Sequence, residues 1–247
     1  MPRAISVAFA LFFFAFSRGA IGACSGTLYL TVDTGSMSHA DLIAATLYKH
    51  QVKATFFVAN EKTVRGDYSL DDSWGDYWRL LVKEGHAFGS HTWRHWHLQR
   101  DVKKDKILYL SMDGKEHALL DKKAFCSELQ QPNTVFEKLT GRKLDALWRA
   151  PGGRLTAHAR EWGAGCGFPR HVGWSDAGFL GDELPSEQFP NDMLLQRALT
   201  KIKDGDILVM HLGIWSRKDP FAPMLDPLLT GLKQKGFCFA TLVPTRP

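Results

Sequence analysis

Three histidines crowd one short segment, SHTWRHWHL, as His91, His95 and His97. On a helical turn, spacing of i and i+4 would point His91 and His95 the same way, an arrangement that suits a metal cation. His97 follows His95 by two residues and faces elsewhere. The same segment, taken alone, also fits three surface histidines wedged between Trp93 and Trp96. Four other stretches carry reactive residue types. The alternating apolar run LYLTVDTGS ends in one acid, Asp33, before Thr34 and Gly35. WRAPGG puts Arg149 ahead of a Pro-Gly turn, where a fixed cation near Asp33 would hold that carboxylate ionised. VGWSDAG offers Trp174 and Asp176, the acid either closing a strand or orienting a histidine. ILVMH closes an apolar strand with His211, a position that more often holds a packed core histidine than a catalyst; the other four motifs raise it above that prior.

The elements that must position these residues alternate between strand and helix patterns. TLYLTVD, KATFFVAN, AFGSH, RHVGWSD, ILVMH and FCFATLV read as strands. HADLIAATLYKHQV, DYWRLLVKEGH, NDMLLQRALTKIKDGD and APMLDPLLTGLKQKG read as helices, and a longer helical region is expected from about Lys115 to Leu139, interrupted at Pro132. Such alternation implies α/β architecture with a parallel sheet inside helices, as a barrel or an open sheet. In barrels of this kind the reactive groups sit where strands end. Asp33, His91, Arg149, Asp176 and His211 all fall at such ends.

At this point the set resembles the polysaccharide deacetylases, the NodB-homology group called carbohydrate esterase family 4. LTVDTG stands where that family has T-F-D-D-G, HTWRH matches H-[ST]-x-x-H, and RAPGG matches R-x-P-x-[GY]. WSDAG loosely matches the motif with Trp and Asp, and VMH stands for L-x-H. The resemblance spans about residues 26 to 243 and implies a distorted (β/α) barrel. It implies a hydrolase that removes acetyl groups, N-acetyl first, from a glycan such as peptidoglycan, a chitin-like polymer or an exopolysaccharide. It further implies a divalent metal, zinc ahead of cobalt or nickel, on His91 and His95. By the same resemblance Asp33 is the general base, Arg149 its partner, and His211 the general acid oriented by Asp176. Trp174 and Gly153 are implied substrate contacts, while Trp74, Trp93, Trp96 and Trp215 are aromatic candidates for sugar stacking.

One position departs from the pattern. The second acid of the family's first motif, its third metal ligand, is Thr34 here. A neutral hydroxyl is a poor zinc ligand, so the metal is expected to be weakly held or completed by another residue, with Ser36, His39 and His97 nearest in sequence. The competing reading is a catalytically impaired member that keeps a glycan-binding groove. Residues 68–78 and the long stretch after His95 are expected to build that groove.

Bulk features narrow the setting. The 247 residues are 45% hydrophobic and 23% charged, an ordinary globular mix. The net charge of +5 is scattered, which gives no support to nucleic-acid binding. Residues 1–23 have the charged, apolar and small-residue layout of a secretory signal, leaving 24–247 as one domain. Export to the exterior or a periplasm would favour disulfides among Cys24, Cys126, Cys166 and Cys238, with three pairings open. Lipid anchoring at Cys24, the one route to a membrane, ranks second, and a monomer is expected.

Overall fold

The computed structural model describes Met1 and residues 24–244; the expected signal segment lies outside the described residues. In chain order the elements are β1 (Gly26–Asp33), α1 (Ala40–Lys49), β2 (Thr55–Val58), α2 (Gly75–Lys83), β3 (Ala87–Ser90), β4 (His97–Val102), β5 (Lys106–Leu110), β6 (His117–Leu120) and α3 (Lys122–Thr140). They continue with β7 (Leu147–Trp148), α4 (Ala157–Gly165), β8 (Arg170–His171), α5 (Asn191–Lys201), β9 (Ile207–His211), α6 (Leu225–Gln234) and β10 (Phe237–Phe239).

A curled parallel sheet runs β10-β1-β2-β3-β7-β8, and β9 also pairs with β1. The upper half of β1 takes β9 as its neighbour, and the lower half takes β10. A single bridge from Phe179 to Val209 brings the chain after β8 back to β9. The sheet thus curls into a distorted barrel with helices outside, the one of the two α/β alternatives that the family resemblance implied.

Strand parity decides what fills the barrel. Leu28, Leu30, Val32, Phe56 and Val58 are fully buried in the large apolar core that also takes in the helices. Their alternates face the other way. Phe57, Leu147, Val172 and Leu242, with Tyr29 and Ile207 packed against them, form a separate small cluster. Asp33 shares the parity of Tyr29 and Thr31, so it points where this second cluster lies.

Two local expectations are corrected. The region from Lys115 does not begin a helix: residues 97–120 form a three-stranded antiparallel sheet, β4-β5-β6. The helix begins after Asp121, whose side chain accepts the Ala124 N–H at 2.9 Å. It then runs through Pro132, which removes one ladder donor without ending it, because Phe125, Leu129 and Phe136 anchor both halves in the core. Trp74 and Trp78 also belong to the core, at 2% and 0% exposure, so the 68–78 segment packs inward there and offers neither ring to a groove.

The cysteines pair as Cys24–Cys238 and Cys126–Cys166. The first ties the start of β1 to β10, and the second ties α3 to the end of α4.

His86, at the entrance to β3, is 1% exposed. Its Nδ1 accepts the Ala54 N–H at 3.0 Å and its ring meets Phe56 edge-on. Burial, reinforced by Lys53, pushes its pKa down to about 4. The unfolded chain therefore binds this proton more readily, so the stability is fully present above about 6.5 and is lost as pH falls toward 4. Between pH 7.5 and 4.5 the loss from this group is about 2–3 kcal/mol. Urea titrations at the two pH values should show that much less pH sensitivity in His86→Gln than in wild type.

Candidate active site

The parallel register gathers the reactive side chains at one end of the sheet. Asp33, the last residue of β1, is paired directly with His211, the last of β9, and with Phe57 of β2. Val58 pairs with Ser90, and Ser90 with Trp148. His91 and Arg149 therefore follow their strands at the same level.

Arg149 is fully buried. Its Nη1 donates to Asp33 Oδ1 at 2.8 Å, and its other donors go to the carbonyls of Val172 (3.1 Å) and Gly173 (2.9 Å). The guanidinium lies 4.3 Å over the Phe57 ring. Burial alone would raise the Asp33 pKa, but Arg149, with His91 and His211, holds it below the usual carboxylate value. Asp33 is thus kept ionised at the top of the inner apolar cluster.

His211 is the opposite case. Burial opposes its charge, but Asp182 overrides it and raises the pKa to about 10. One Asp182 oxygen accepts the His211 backbone N–H at 2.7 Å, and both oxygens lie 3.2 Å from Nδ1. Asp176 was the expected orienting acid, and the register shows why it is not. Ser175 N–H bonds the Ile207 carbonyl, and Phe179 bridges Val209. Asp176 therefore sits beside the start of β9, about 13 Å along the strand from His211. Asp182, six residues further on, reaches the other end. Sequence offered no flag for it beyond an acid in the turn LGDELP.

The histidine pair is also built differently from expectation. Residues 91–96 form no helical turn; Thr92 and His95 take left-handed backbone angles, φ 63° and 54°. Buried Glu128 holds this strained loop, accepting from the Trp93 and Arg94 N–H groups and from Arg94 Nε. The loop brings the two Nε2 atoms within 3.2 Å. His91 Nδ1–H donates to the Arg149 carbonyl at 2.9 Å, and His95 Nδ1 lies 3.1 Å from Glu61 Oε1. With both Nδ1 positions protonated, each Nε2 presents a lone pair to the other, and Asp33 Oδ2 lies 3.4 Å from His91 Nε2. Burial pushes the His91 pKa down to about 4, the neutral state a ligand needs.

Facing lone pairs at this distance repel unless a cation, or a proton shared as an N–H···N hydrogen bond, lies between them. Two nitrogens bound to one zinc at tetrahedral angles stand about 3.3–3.4 Å apart. The imidazole pair fits a divalent cation on those grounds. Among the described residues, however, no group of three His, Cys, Asp or Glu side chains could hold a metal ion.

Position 34 explains that gap. The Thr34 hydroxyl accepts the Ala59 N–H and donates to Glu61 Oε2 at 2.5 Å. Gly35 N–H adds a second bond to the same oxygen at 2.6 Å. Gly35 has φ 97°, and a Cβ there would meet the Gly213 carbonyl at 2.4 Å, so only glycine makes this turn. Ser36 and His39 are instead engaged with Ser38, at 3.1 and 2.8 Å respectively, and His97 lies over Gly152. Glu61 was not foreseen, because it follows a strand with no motif around it.

The remaining expected contacts lie beside Arg149. Gly153, at φ 68°, lets the Trp174 ring approach where a Cβ would stand 2.9 Å away, and Trp174 stacks on Phe179. Trp93 and Trp96 are half-buried against the core, and Trp215 is 64% exposed.

The model of the family described as polysaccharide deacetylase matches residues 22–170, more than half of the chain. The chain belongs to the polysaccharide deacetylase family. Peptidoglycan-N-acetylglucosamine deacetylase PgdA of Listeria monocytogenes is 26% identical over 215 residues, 86% of this chain but 37% of that protein. A family 4 carbohydrate esterase from Streptomyces lividans, solved with acetate, superposes with a TM-score of 0.66 at 21% identity, covering 90% of this chain and 95% of that one. A family 4 pseudoenzyme from Bacillus anthracis gives 0.65 at 21% identity, covering 88% and 64%. At that identity the structural likeness establishes the fold, and family membership rests on the matched residues.

Asp182 is expected to set the charge of His211. By NMR, the wild-type His211 ring should stay protonated well above pH 7, whereas in Asp182→Asn it should titrate near or below 6.5. A wild-type ring that titrates near 6.5 would contradict this assignment.

Proposed function

We propose that this chain hydrolyses acetyl groups, N-acetyl foremost, from an extracellular or periplasmic glycan. One observation carries the reading: Asp33 and His211 face each other in register on neighbouring strands, in opposite charge states. An ionised carboxylate accepts a proton and a protonated imidazole supplies one, which is the pair that amide hydrolysis needs. A divalent cation on His91 and His95 would polarise the acetyl carbonyl and lower the pKa of the attacking water.

The chain's own groups do the rest. Asp33 Oδ2, left free by the Arg149 bond to Oδ1, takes the water proton. His211 Nε2 gives its proton to the leaving amine, so acetate and a free amino sugar result. Asp182 keeps Nδ1 of that ring engaged, so Nε2 is the nitrogen that delivers. Trp174, set beside Arg149 and Gly153, offers an apolar face to the sugar. The signal-like residues 1–23 and the two disulfides support an exported protein. The pairing of Cys24 with Cys238 occupies the thiol that a lipoprotein would carry acylated.

Thr34 favours a second reading, a glycan binder on the same barrel, because the site lacks a carboxylate at that position. Apo protein given zinc, cobalt or nickel should release acetate from chitooligosaccharides, peptidoglycan fragments or acetylated xylan. His211→Ala should lower kcat by about 10²–10⁴-fold. No acetate from any of these under any metal would overturn the proposal. Saturable glycan binding that survives EDTA and His211→Ala would support the binder instead.

A further inference from the structure

Apart from Glu183, half-exposed and 4.0 Å from His211 Nε2, the charged groups of the site fall into pairs, with one left over. Asp33 pairs with Arg149, and Asp182 with His211. Glu61 has no Lys or Arg within ion-pair distance among the described residues; its contacts are the Thr34 hydroxyl, the Gly35 N–H and the His95 ring. The Glu61 carboxylate, at 17% side-chain exposure, therefore directs its second oxygen at the His95 ring, 3.1 Å from Nδ1.

Its placement is fixed from both directions. Glu61 N–H donates to Ser69 Oγ at 3.0 Å, Ser69 N–H returns to the Glu61 carbonyl at 2.8 Å, and Ser69 Oγ donates to the Ala59 carbonyl. Thr34 then clamps one carboxylate oxygen and leaves the other for His95. An aspartate at position 34 would remove the hydroxyl donor and press a second carboxylate against Glu61. The threonine and the glutamate therefore suit each other.

We propose that Glu61 supplies the carboxylate that position 34 lacks, acting as the positioning residue of His95 and the charge that retains a divalent cation at the histidine pair. It acts from behind the ring: accepting Nδ1–H fixes the tautomer and turns Nε2 toward His91, and the carboxylate makes that nitrogen more basic. The inference rests on the reading of His91 and His95 as cation donors. It extends that reading by placing on the loop after β2 the negative charge that position 34 lacks.

Zinc titration of the apo protein against a chromophoric chelator tests it, with Co(II) absorption as a second readout. Glu61→Gln keeps the size of the side chain and removes the charge. Its apo melting temperature should stay within a few degrees of wild type, while zinc affinity falls about 10–100-fold. Thr34→Asp/Glu61→Gln, which returns a carboxylate to β1, should recover affinity to within a few-fold of wild type. Wild-type affinity in Glu61→Gln would overturn the proposal, as would a loss that the double substitution does not recover. If Glu61→Gln fails to fold, Glu61→Asp shortens the reach by one methylene, and the same fall in affinity is expected; wild-type affinity there overturns the proposal as well. A wild-type protein that binds no zinc would overturn both this inference and the reading of the histidines beneath it.

Discussion

The buried ion pair between Asp33 and Arg149 is the interaction on which the rest of the site depends. Taking both charges out of water costs several kcal/mol for each ion, so the pair persists only because each nitrogen of the guanidinium makes a hydrogen bond. Asp33, the Val172 and Gly173 carbonyls and the Phe57 ring meet it. Those partners belong to β1, to the segment after β8 and to β2, while Arg149 itself follows β7. Its carbonyl also takes the His91 Nδ1 proton. One arginine thus locks the relative heights of several strand ends, and through His91 it sets which nitrogen faces the other histidine.

Much of this was legible in the sequence, for a physical reason. Strands that end in a charged or titratable residue after an apolar run must place that residue at the barrel mouth, so Asp33, His91, Arg149 and His211 could be located from pattern alone. Pairings that depend on register were not legible. Asp176 lies close to Trp174 in a recognisable motif, yet the parallel bonds from Ser175 to Ile207 and from Phe179 to Val209 leave it at the wrong end of β9. The acid that reaches His211 sits in an unremarkable turn.

The segment between His95 and Arg149 shows a different limit. KILYL and HALL are short strands whose alternation is brief enough to merge with the helical pattern that follows. The sheet they form has a part in the site, because the Tyr109 hydroxyl in β5 joins Thr92, Trp96 and Glu128 beneath the strained histidine loop. The stretch after His95, expected to build groove walls, therefore also buttresses the backbone of His95. Holding two non-glycine residues at positive φ requires such support.

Thr34 looks like a loss when motif one is read as a string, because the string counts acids at fixed indices. A cation responds instead to charge and lone pairs in space. Glu61 approaches the same point from the loop after β2, and the hydroxyl of Thr34 is what holds it there. A donor at position 34 and an acid at position 61 can do together what one carboxylate does alone, at the expense of acting through His95. The arrangement is less direct, since the charge stands behind a ligand ring. Under the role proposed for Glu61, the strength of cation binding would depend on how rigidly Ser69 pins the loop after β2.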